Sequence, residues 1–150
     1  ADPVSVSKAP RVEPILSKID TLKPNKLEAE LLTGIKINDN ADVESAAQKL
    51  LDMGVKNVFI SLGADGILAA NKENMIHVGT LTTNIVNANG AGDCSTATIT
   101  WCRYHGITDL KEICLNTQAA ASIALESEKS VPDITPEQIE EKLENAKALN

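Results

Sequence analysis

The chain has 150 residues, of which 43% are hydrophobic and 23% are charged, a length and composition that suit one globular domain with a buried core. Its formal net charge of −7 and its single Phe, Trp and Tyr argue against nucleic acid or an anionic membrane as partners. The sequence lacks both an apolar run near the roughly 18 residues that cross a bilayer and a leader-like segment, so we expect a cytoplasmic protein.

The cysteines and histidines do not form a metal-binding pattern. Cys94, Cys102 and Cys114 are an odd number of thiols without metal-site spacing, and we expect them to be reduced and mostly buried. His77 and His105 fall on different predicted elements, so a metal site built on histidine is not expected.

The predicted elements begin after an irregular segment of residues 1–18, which prolines interrupt. Residues 19–22 are predicted to form a short strand. Asn25 precedes Glu28 by three residues, which is the spacing of a capping box and predicts a helix over residues 26–33.

The middle of the chain alternates between helix and strand signals. Apolar residues on one helical face predict a helix over residues 41–53, and β-branched residues predict a buried strand over residues 55–62. A glycine turn at residues 63–66 then leads into a hairpin with strands at 67–70 and 75–78.

The last third of the chain is predicted to be mainly helical. A short strand over residues 84–88 leads into a glycine turn and then a helix over residues 91–104. Thr108 is predicted to cap the next helix, and Thr135 to cap a helix over residues 136–148. Because helices and strands interleave along the chain, the predicted fold class is an α/β layered sheet in a single domain.

The glycine turn at Gly90, Ala91 and Gly92 is the strongest candidate for a functional site. Small residues leave backbone N–H groups uncovered at a helix N-terminus, where the dipole favours an anion, and Asp93 adds a carboxylate beside them. The spacing excludes a Walker A loop, a dinucleotide fingerprint and a nucleophile elbow. Two interpretations remain open: a phosphate cradle joined to an acidic base, or an ordinary helix N-terminus with a capping aspartate.

Three other candidates have ordinary structural explanations when the residues are taken alone. Asn25 and Glu28 are explained by the capping box, and the segment at 61–66 by a simple hairpin turn. Gln118 is expected at a solvated position of its helix.

Three motifs in one order carry a family resemblance. They are Lys-Pro-Asn-Lys-Leu-Glu at 23–28, Ser-Leu-Gly-Ala-Asp-Gly at 61–66 and Asn-Gly-Ala-Gly-Asp at 89–93. Over residues 1–132 the chain resembles the C-terminal half of the ribokinase-like (PfkB) family of carbohydrate and nucleoside kinases. The resemblance implies a ribokinase-like (Rossmann-like) three-layer α/β/α sandwich, of which this chain is the C-terminal nucleotide-binding portion. Within the family, residues 2–6 and 21–25 look most like pseudouridine kinases.

The resemblance implies transfer of the γ-phosphate of ATP to a hydroxyl of a sugar or nucleoside, with pseudouridine or a related pentose compound favoured. Asp93 is then the general base, and the amides of Gly90, Ala91 and Gly92 bind the migrating phosphoryl group. The implied metal is Mg²⁺ bound with ATP, and Glu28 faces its water shell. The positions implied to border the nucleotide are Asn25, Ser61, Gly63, Asp65, Gly66 and Gln118.

The chain also departs from the family pattern. Asn87 and Asn89 stand where the family often has Asp and Thr, so activation by a monovalent cation is not supported. The family's N-terminal half, which carries most of the acceptor site, has no counterpart in these residues. The implied partners are ATP and a small sugar or nucleoside, with a homodimer as one assembly. The alternative is a truncated, non-catalytic nucleotide-binding or interaction module.

Overall fold

The computed structural model describes the chain except residues 4, 6, 82, 83, 130, 149 and 150, and it describes Pro10 by its backbone only. The chain divides into two compact units, residues 1–78 and residues 79–150. The expectation of a single domain stays a prediction.

The first unit contains a mixed sheet with the strand order β1-β2-β3-β4. Its strands are β1 (Thr21–Leu22), β2 (Asn57–Ser61), β3 (Ile67–Asn71) and β4 (Met75–Val78). Strand β1 pairs in parallel with β2, whereas the β2–β3 and β3–β4 pairs are antiparallel. The carboxyl ends of β1, β2 and β4 therefore lie at the same edge of the sheet.

Two amphipathic helices cover this sheet and bury its core. They are α1 (Lys26–Thr33) and α2 (Asn40–Asp52), and α2 packs against β2 and β3 while α1 packs against α2. The core includes Leu22, Ala29, Leu32, Val43, Leu50, Val58, Ile60 and Leu68. Each fully buried Leu, Ile or Val contributes about 1.5–3 kcal/mol relative to an exposed position. The predicted helices and the predicted hairpin are confirmed, with ends that shift by one residue or two.

The segment before β1 is more regular than predicted. It forms two short 3-10 helices, Ala9–Arg11 and Glu13–Lys18, each with a proline in its first turn. Proline suits that position because the first N–H groups of a helix have no partner within it, and the fixed φ favours the turn. The prolines thus begin short helices here, and the predicted strand is limited to Thr21–Leu22.

Among its described residues, the second unit contains three helices, α3 (Ala91–Tyr104), α4 (Leu110–Glu126) and α5 (Pro136–Ala148). Helix α4 packs against both α3 and α5. Its small residues Ala119 and Ala120 are fully buried in a cluster with Ile139 of α5. None of the helices that the structure describes is long and apolar enough to cross a bilayer.

Two predictions about secondary structure in the second unit are wrong. Residues 84–88 form no strand, because the N–H groups of Val86 and Asn87 donate to the Leu125 carbonyl, at 2.8 and 3.0 Å, near the end of α4. Carbonyls in the last turn of a helix lack partners within it, which makes them available acceptors. Helix α4 is capped by Asp109 rather than Thr108, since the Asp109 carboxylate accepts from the Glu112 N–H at 2.7 Å.

The predicted start of α5 is confirmed. The Gln138 side chain accepts from the Thr135 N–H at 2.9 Å, and the Thr135 hydroxyl accepts from the Gln138 N–H at 3.4 Å. This reciprocal pair is the capping box that the sequence predicts, with Pro136 at the first helical position.

Gly54, just after α2, provides a test of the packing in the first unit. Its φ is +101°, and a Cβ there would lie 2.8 Å from the Ser17 Cα atom. We expect Gly54→Ala to lower the free energy of unfolding by about 3 kcal/mol, because backbone strain and overpacking add. Urea unfolding followed by circular dichroism measures this change.

Gly34→Ala is the matched control, because Gly34 also has a positive φ of +70°, but a Cβ there would meet no atom within 4 Å among the described residues beyond its chain neighbours. It should lower the free energy of unfolding by only about 1 kcal/mol. Equal losses in the two variants would contradict the close approach of Ser17 to Gly54.

Candidate active site

At the start of α1, a capping box joins Asn25 and Glu28. The Glu28 carboxylate accepts from the Asn25 N–H at 2.8 Å, and the Asn25 side-chain oxygen accepts from the Glu28 N–H at 2.9 Å. Glu28 is only 2% exposed, so the two hydrogen bonds fix a buried carboxylate at the beginning of the helix. A carboxylate has about four acceptor positions, so capping leaves Glu28 with further acceptor capacity.

The end of β2 brings a second sequence motif to this capping box. Asn25 and Ser61 form an isolated parallel bridge, and the Ser61 N–H donates to the Pro24 carbonyl at 3.0 Å. The two segments meet because both follow strands whose carboxyl ends share one edge of the sheet. In α/β sheets, that edge is the usual site of ligand binding.

The turn after Ser61 is a short 3-10 helix, Gly63–Asp65. Gly63 and Gly66 have φ values of +62° and +93°, which a residue with a Cβ adopts only with strain. The Leu62 N–H donates to the Gly66 carbonyl at 2.8 Å and closes the turn. The two glycines are therefore required by the backbone shape at this edge of the sheet.

His77 of β4 contacts the same turn, and sequence reasoning missed it. Its Nε2 atom lies 2.7 Å from the Asp65 carbonyl oxygen. The antiparallel register places His77 opposite Leu68, close to the beginning of β3. The predicted hairpin contained that signal, because its four-residue connection aligns residue 77 with residue 68.

Oxygen groups of the first unit are compatible with a bound magnesium ion. Mg²⁺ prefers carboxylate, amide and water oxygens, and it often takes few protein ligands together with substrate phosphates. Glu28 and Asn25 offer such oxygens at one helix start. Within the described residues, no group of three or more His, Cys, Asp or Glu side chains comes together. These residues fit an ion held mainly by water and phosphate.

In the second unit, Gly90 is the N-cap of α3. It has a φ of +85°, and no side chain provides a capping hydrogen bond. The first intrahelical bond runs from the Cys94 N–H to the Gly90 carbonyl at 2.9 Å. The N–H groups of Ala91, Gly92 and Asp93 come before that bond in the chain. They are therefore among the first N–H groups of the helix, which have no hydrogen-bond acceptor within it. Asp93 lies in the first turn and is not the capping residue.

Asp93 and Gly90 also line a cleft of about 400 Å³. The α3 side of the cleft adds Cys94, Ala97, Thr98 and Trp101, and the opposite side consists of Val131, Pro132, Ile134, Pro136 and Ile139. A volume of this size falls within the range of small-molecule sites. A carboxylate at the rim of an apolar cleft can orient a hydroxyl group of a small organic molecule.

The three cysteines of the second unit are free thiols. Burial, with a smaller contribution from Glu112, raises the pKa of Cys102 to about 11. Burial and then Asp109 raise the pKa of Cys114 to about 12. Cys94, next to Asp93, also has a raised pKa, first through burial and then through the Asp93 charge. Neutral thiols at pH 7 are packing groups rather than nucleophiles.

The proposed site residues thus fall into two groups that the structure places in separate units. The capping box and the turn at 61–66 come together in the first unit, and Gly90 to Asp93 form one helix start in the second. Gln118 lies on α4, is 8% exposed and does not line the cleft. The expectation of a solvated position for Gln118 is therefore wrong.

Glycine turns at a sheet edge and at a helix start, with an acidic first turn, define an α/β protein suited to phosphate binding. The model of the pfkB family carbohydrate kinases matches residues 1–137. The chain therefore belongs to the pfkB family of carbohydrate kinases. The family resemblance deduced from the three motifs is confirmed.

Individual relatives support the same family. The chain is 33% identical to the pseudouridine kinase of Escherichia coli K12 over 151 aligned positions, which cover 99% of this chain and 48% of the relative. A crystal structure from Clostridium perfringens, assigned as a sugar kinase, superposes with a TM-score of 0.88 at 31% identity, covering 95% of this chain and 45% of the other.

A plant relative adds a structure with ligands. Arabidopsis thaliana ribokinase, solved with ribose and ATP, has a TM-score of 0.78 and 28% identity, and the match covers 87% of this chain and 43% of that one. These superpositions confirm the ribokinase-like α/β fold. The chain spans about half the length of the relatives it matches.

The buried thiols predict how stability depends on pH. In the unfolded chain a thiol has its ordinary pKa near 8.5, whereas the folded values of Cys102 and Cys114 are about 11 and about 12. When folding raises the pKa of a group, its contribution to stability is fully present at a pH below the pKa of the unfolded chain. That contribution is lost as the pH rises through the pKa of the folded protein. We expect the free energy of unfolding in urea to fall between pH 8 and pH 10.

The control for this prediction is the double variant Cys102→Ala and Cys114→Ala. Its stability should decline less over the same pH range, since each thiol contributes up to about 1.4 kcal/mol per pH unit above the unfolded pKa. An equal decline in the variant and the parent protein would contradict the raised thiol pKa values.

Proposed function

We propose that this chain carries the nucleotide-binding and catalytic-base half of an ATP-dependent carbohydrate or nucleoside kinase. The observation that carries the proposal is the start of α3, where a left-handed Gly90 leads directly into a first turn that holds Asp93 at the rim of a cleft. The start of one helix then offers backbone amides that can bind a phosphoryl group and a carboxylate that can accept the proton of a hydroxyl group.

In the proposed reaction, the acceptor hydroxyl oxygen attacks the γ-phosphorus of ATP. The hydroxyl proton passes to the Asp93 carboxylate, the bond from the γ-phosphorus to the bridging oxygen breaks, and ADP leaves. A loose transition state tolerates a weak base, because positioning contributes more than early proton transfer. The amides of Gly90, Ala91 and Gly92 stabilise the charge on the phosphoryl oxygens, and each such donor is worth about 3–4 kcal/mol in comparable sites.

The first unit is proposed to bind the nucleotide. Asn25, Ser61 and the Gly63–Asp65 turn lie together at the carboxyl edge of the sheet, where α/β proteins bind ligands. Glu28 would face the hydration shell of Mg²⁺. That ion, when bound, supplies charge neutralisation at the ATP phosphates. Gln118 is proposed near the adenine, and monovalent-cation activation is not part of the proposal.

The favoured acceptor is pseudouridine or a related pentose compound. The support is the 33% identity to a pseudouridine kinase along almost the whole of this chain. An ATP-consumption panel with pseudouridine, ribose, adenosine and fructose tests this choice. Turnover of a hexose alone would contradict it.

A non-catalytic nucleotide-binding or interaction module is the second candidate. Ile85, Val86 and Val131 favour it, because they are large apolar side chains with 67%, 59% and 82% of their surface exposed. Exposed apolar surface is typical of an interaction face, including that of a homodimer. ATP binding in calorimetry without turnover of any acceptor by the full-length protein would favour this candidate over the kinase.

Asp93→Asn tests the proposed base. The variant keeps the size of the side chain but removes the proton acceptor, so kcat should fall roughly 100-fold or more while the Kd for ATP stays within about twofold. Coupled ADP release in the full-length protein gives kcat, and calorimetry gives the Kd.

Asp109→Asn is a matched control, since Asp109 is also an aspartate at a helix start and asparagine caps equally well. Its kcat should match that of the parent protein. If Asp93→Asn retains full turnover, the assignment of Asp93 as the base is wrong.

Glu28→Gln tests the proposed contact with hydrated Mg²⁺. Glutamine can still accept the Asn25 N–H of the capping box, so the fold should survive while the charge is lost. The Mg²⁺ concentration for half-maximal activity should rise about tenfold. Glu112→Gln, at the corresponding position in α4, should leave that concentration unchanged.

A further inference from the structure

His77 makes a contact that plays no part in the chemical step proposed for Asp93. Its side chain is exposed on β4, yet its ring extends to the Asp65 carbonyl oxygen, 2.7 Å from Nε2. A carbonyl only accepts hydrogen bonds, so Nε2 carries the proton in this contact. Both the neutral ring protonated at Nε2 and the imidazolium can donate here.

The direction of the Asp65 carbonyl determines the orientation of a peptide group within the turn. Its oxygen and the Gly66 N–H belong to the same planar peptide group, so fixing the direction of one fixes the direction of the other. The hydrogen bonds of the N–H groups of Asp65 and Gly66 are long: the Asp65 N–H lies 3.3 Å from the Leu62 carbonyl, and the Gly66 N–H lies 3.2 Å from the Gly63 carbonyl. The 2.8 Å bond that closes the turn, from the Leu62 N–H to the Gly66 carbonyl, involves the next peptide group. The shorter bond from His77 is thus well placed to set the orientation of this peptide group.

The strand register explains why His77 can make this contact. His77 pairs with Leu68 and Val78 pairs with Ile67, so β4 ends beside the residues that follow the turn. The turn is also fixed from the other side, where the Ser61 N–H donates to the Pro24 carbonyl. The segment from Ser61 to Gly66 therefore has hydrogen bonds to Pro24, just after β1, on one side and to His77 of β4 on the other.

We infer that His77 is a positioning residue for nucleotide binding, because its ring orients the Asp65–Gly66 peptide group of the turn proposed to border ATP. This inference rests on the proposed function, since it assigns the turn to the nucleotide. His77 acts through the turn and takes no part in the proton transfer proposed for Asp93. Its loss should therefore change nucleotide affinity and leave kcat nearly unchanged.

The test compares three variants of the full-length protein by calorimetry with ATP and Mg²⁺ and by steady-state kinetics. His77→Ala should raise the Kd and the KM for ATP about tenfold, with kcat within about twofold of the parent. His77→Gln should restore most of the affinity, because the glutamine amide nitrogen can donate from nearly the same place as Nε2. Met75→Ala is the matched control.

Met75 lies two residues before His77 on the same face of the same strand, and its loss should leave the Kd for ATP unchanged. A purely structural role of His77 would lower the melting temperature of His77→Ala without changing the Kd, and would overturn the inference. Failure of His77→Gln to restore affinity would overturn it as well.

ATP binding by the parent protein separates failure of the role of His77 from failure of the proposed function. If the parent does not bind ATP, the proposed function is contradicted and the inference fails with it. If the parent binds ATP and His77→Ala binds it equally well, only the role of His77 is wrong.

Discussion

The arrangement of the candidate site residues in the first unit depends on the parallel pairing of β1 with β2. The hydrogen bond from the Ser61 N–H, at the last residue of β2, to the Pro24 carbonyl continues that pairing past the end of β1. It brings the start of α1 next to the glycine turn, although the two are distant in the sequence. The capping box, the buried Glu28 and the turn contacted by His77 all take their positions from this junction. A slip in the register would separate them.

In the second unit, hydrogen bonds to the end of α4 position the segment that leads to Asp93. The Leu125 carbonyl receives the N–H groups of Val86 and Asn87 and so fixes the chain shortly before Gly90. Within the same approach, the Asn87 side-chain oxygen accepts from the Asn89 N–H at 3.0 Å. These bonds restrict the conformation of the chain before α3. The left-handed backbone of Gly90 then turns the chain into the first turn of the helix. The first turn with Asp93 is thus defined by backbone contacts on its N-terminal side.

Local signals in the sequence predicted much of the fold and of the candidate site. Asn25 with Glu28 and Thr135 with Gln138 locate helix starts because a capping box needs only four consecutive residues. The strand expected at 84–88 was wrong because its partner, the Leu125 carbonyl, is distant in the sequence. The burial of Gln118 likewise follows from tertiary packing, which no local pattern contains. The predicted hairpin aligned residue 77 with residue 68, but the contact of His77 with Asp65 also needs the shape of the turn before β3.

Trp101 gives the cleft beside Asp93 a spectroscopic property. It is the single tryptophan of the chain, it lines the cleft, and 40% of its surface is exposed. Its indole also packs against the His105 ring in a tilted arrangement, with 4.2 Å between the ring centres. All tryptophan emission of this chain therefore comes from a residue that lines the cleft. Occupancy of that cleft can be followed by intrinsic fluorescence, with no label attached to the protein.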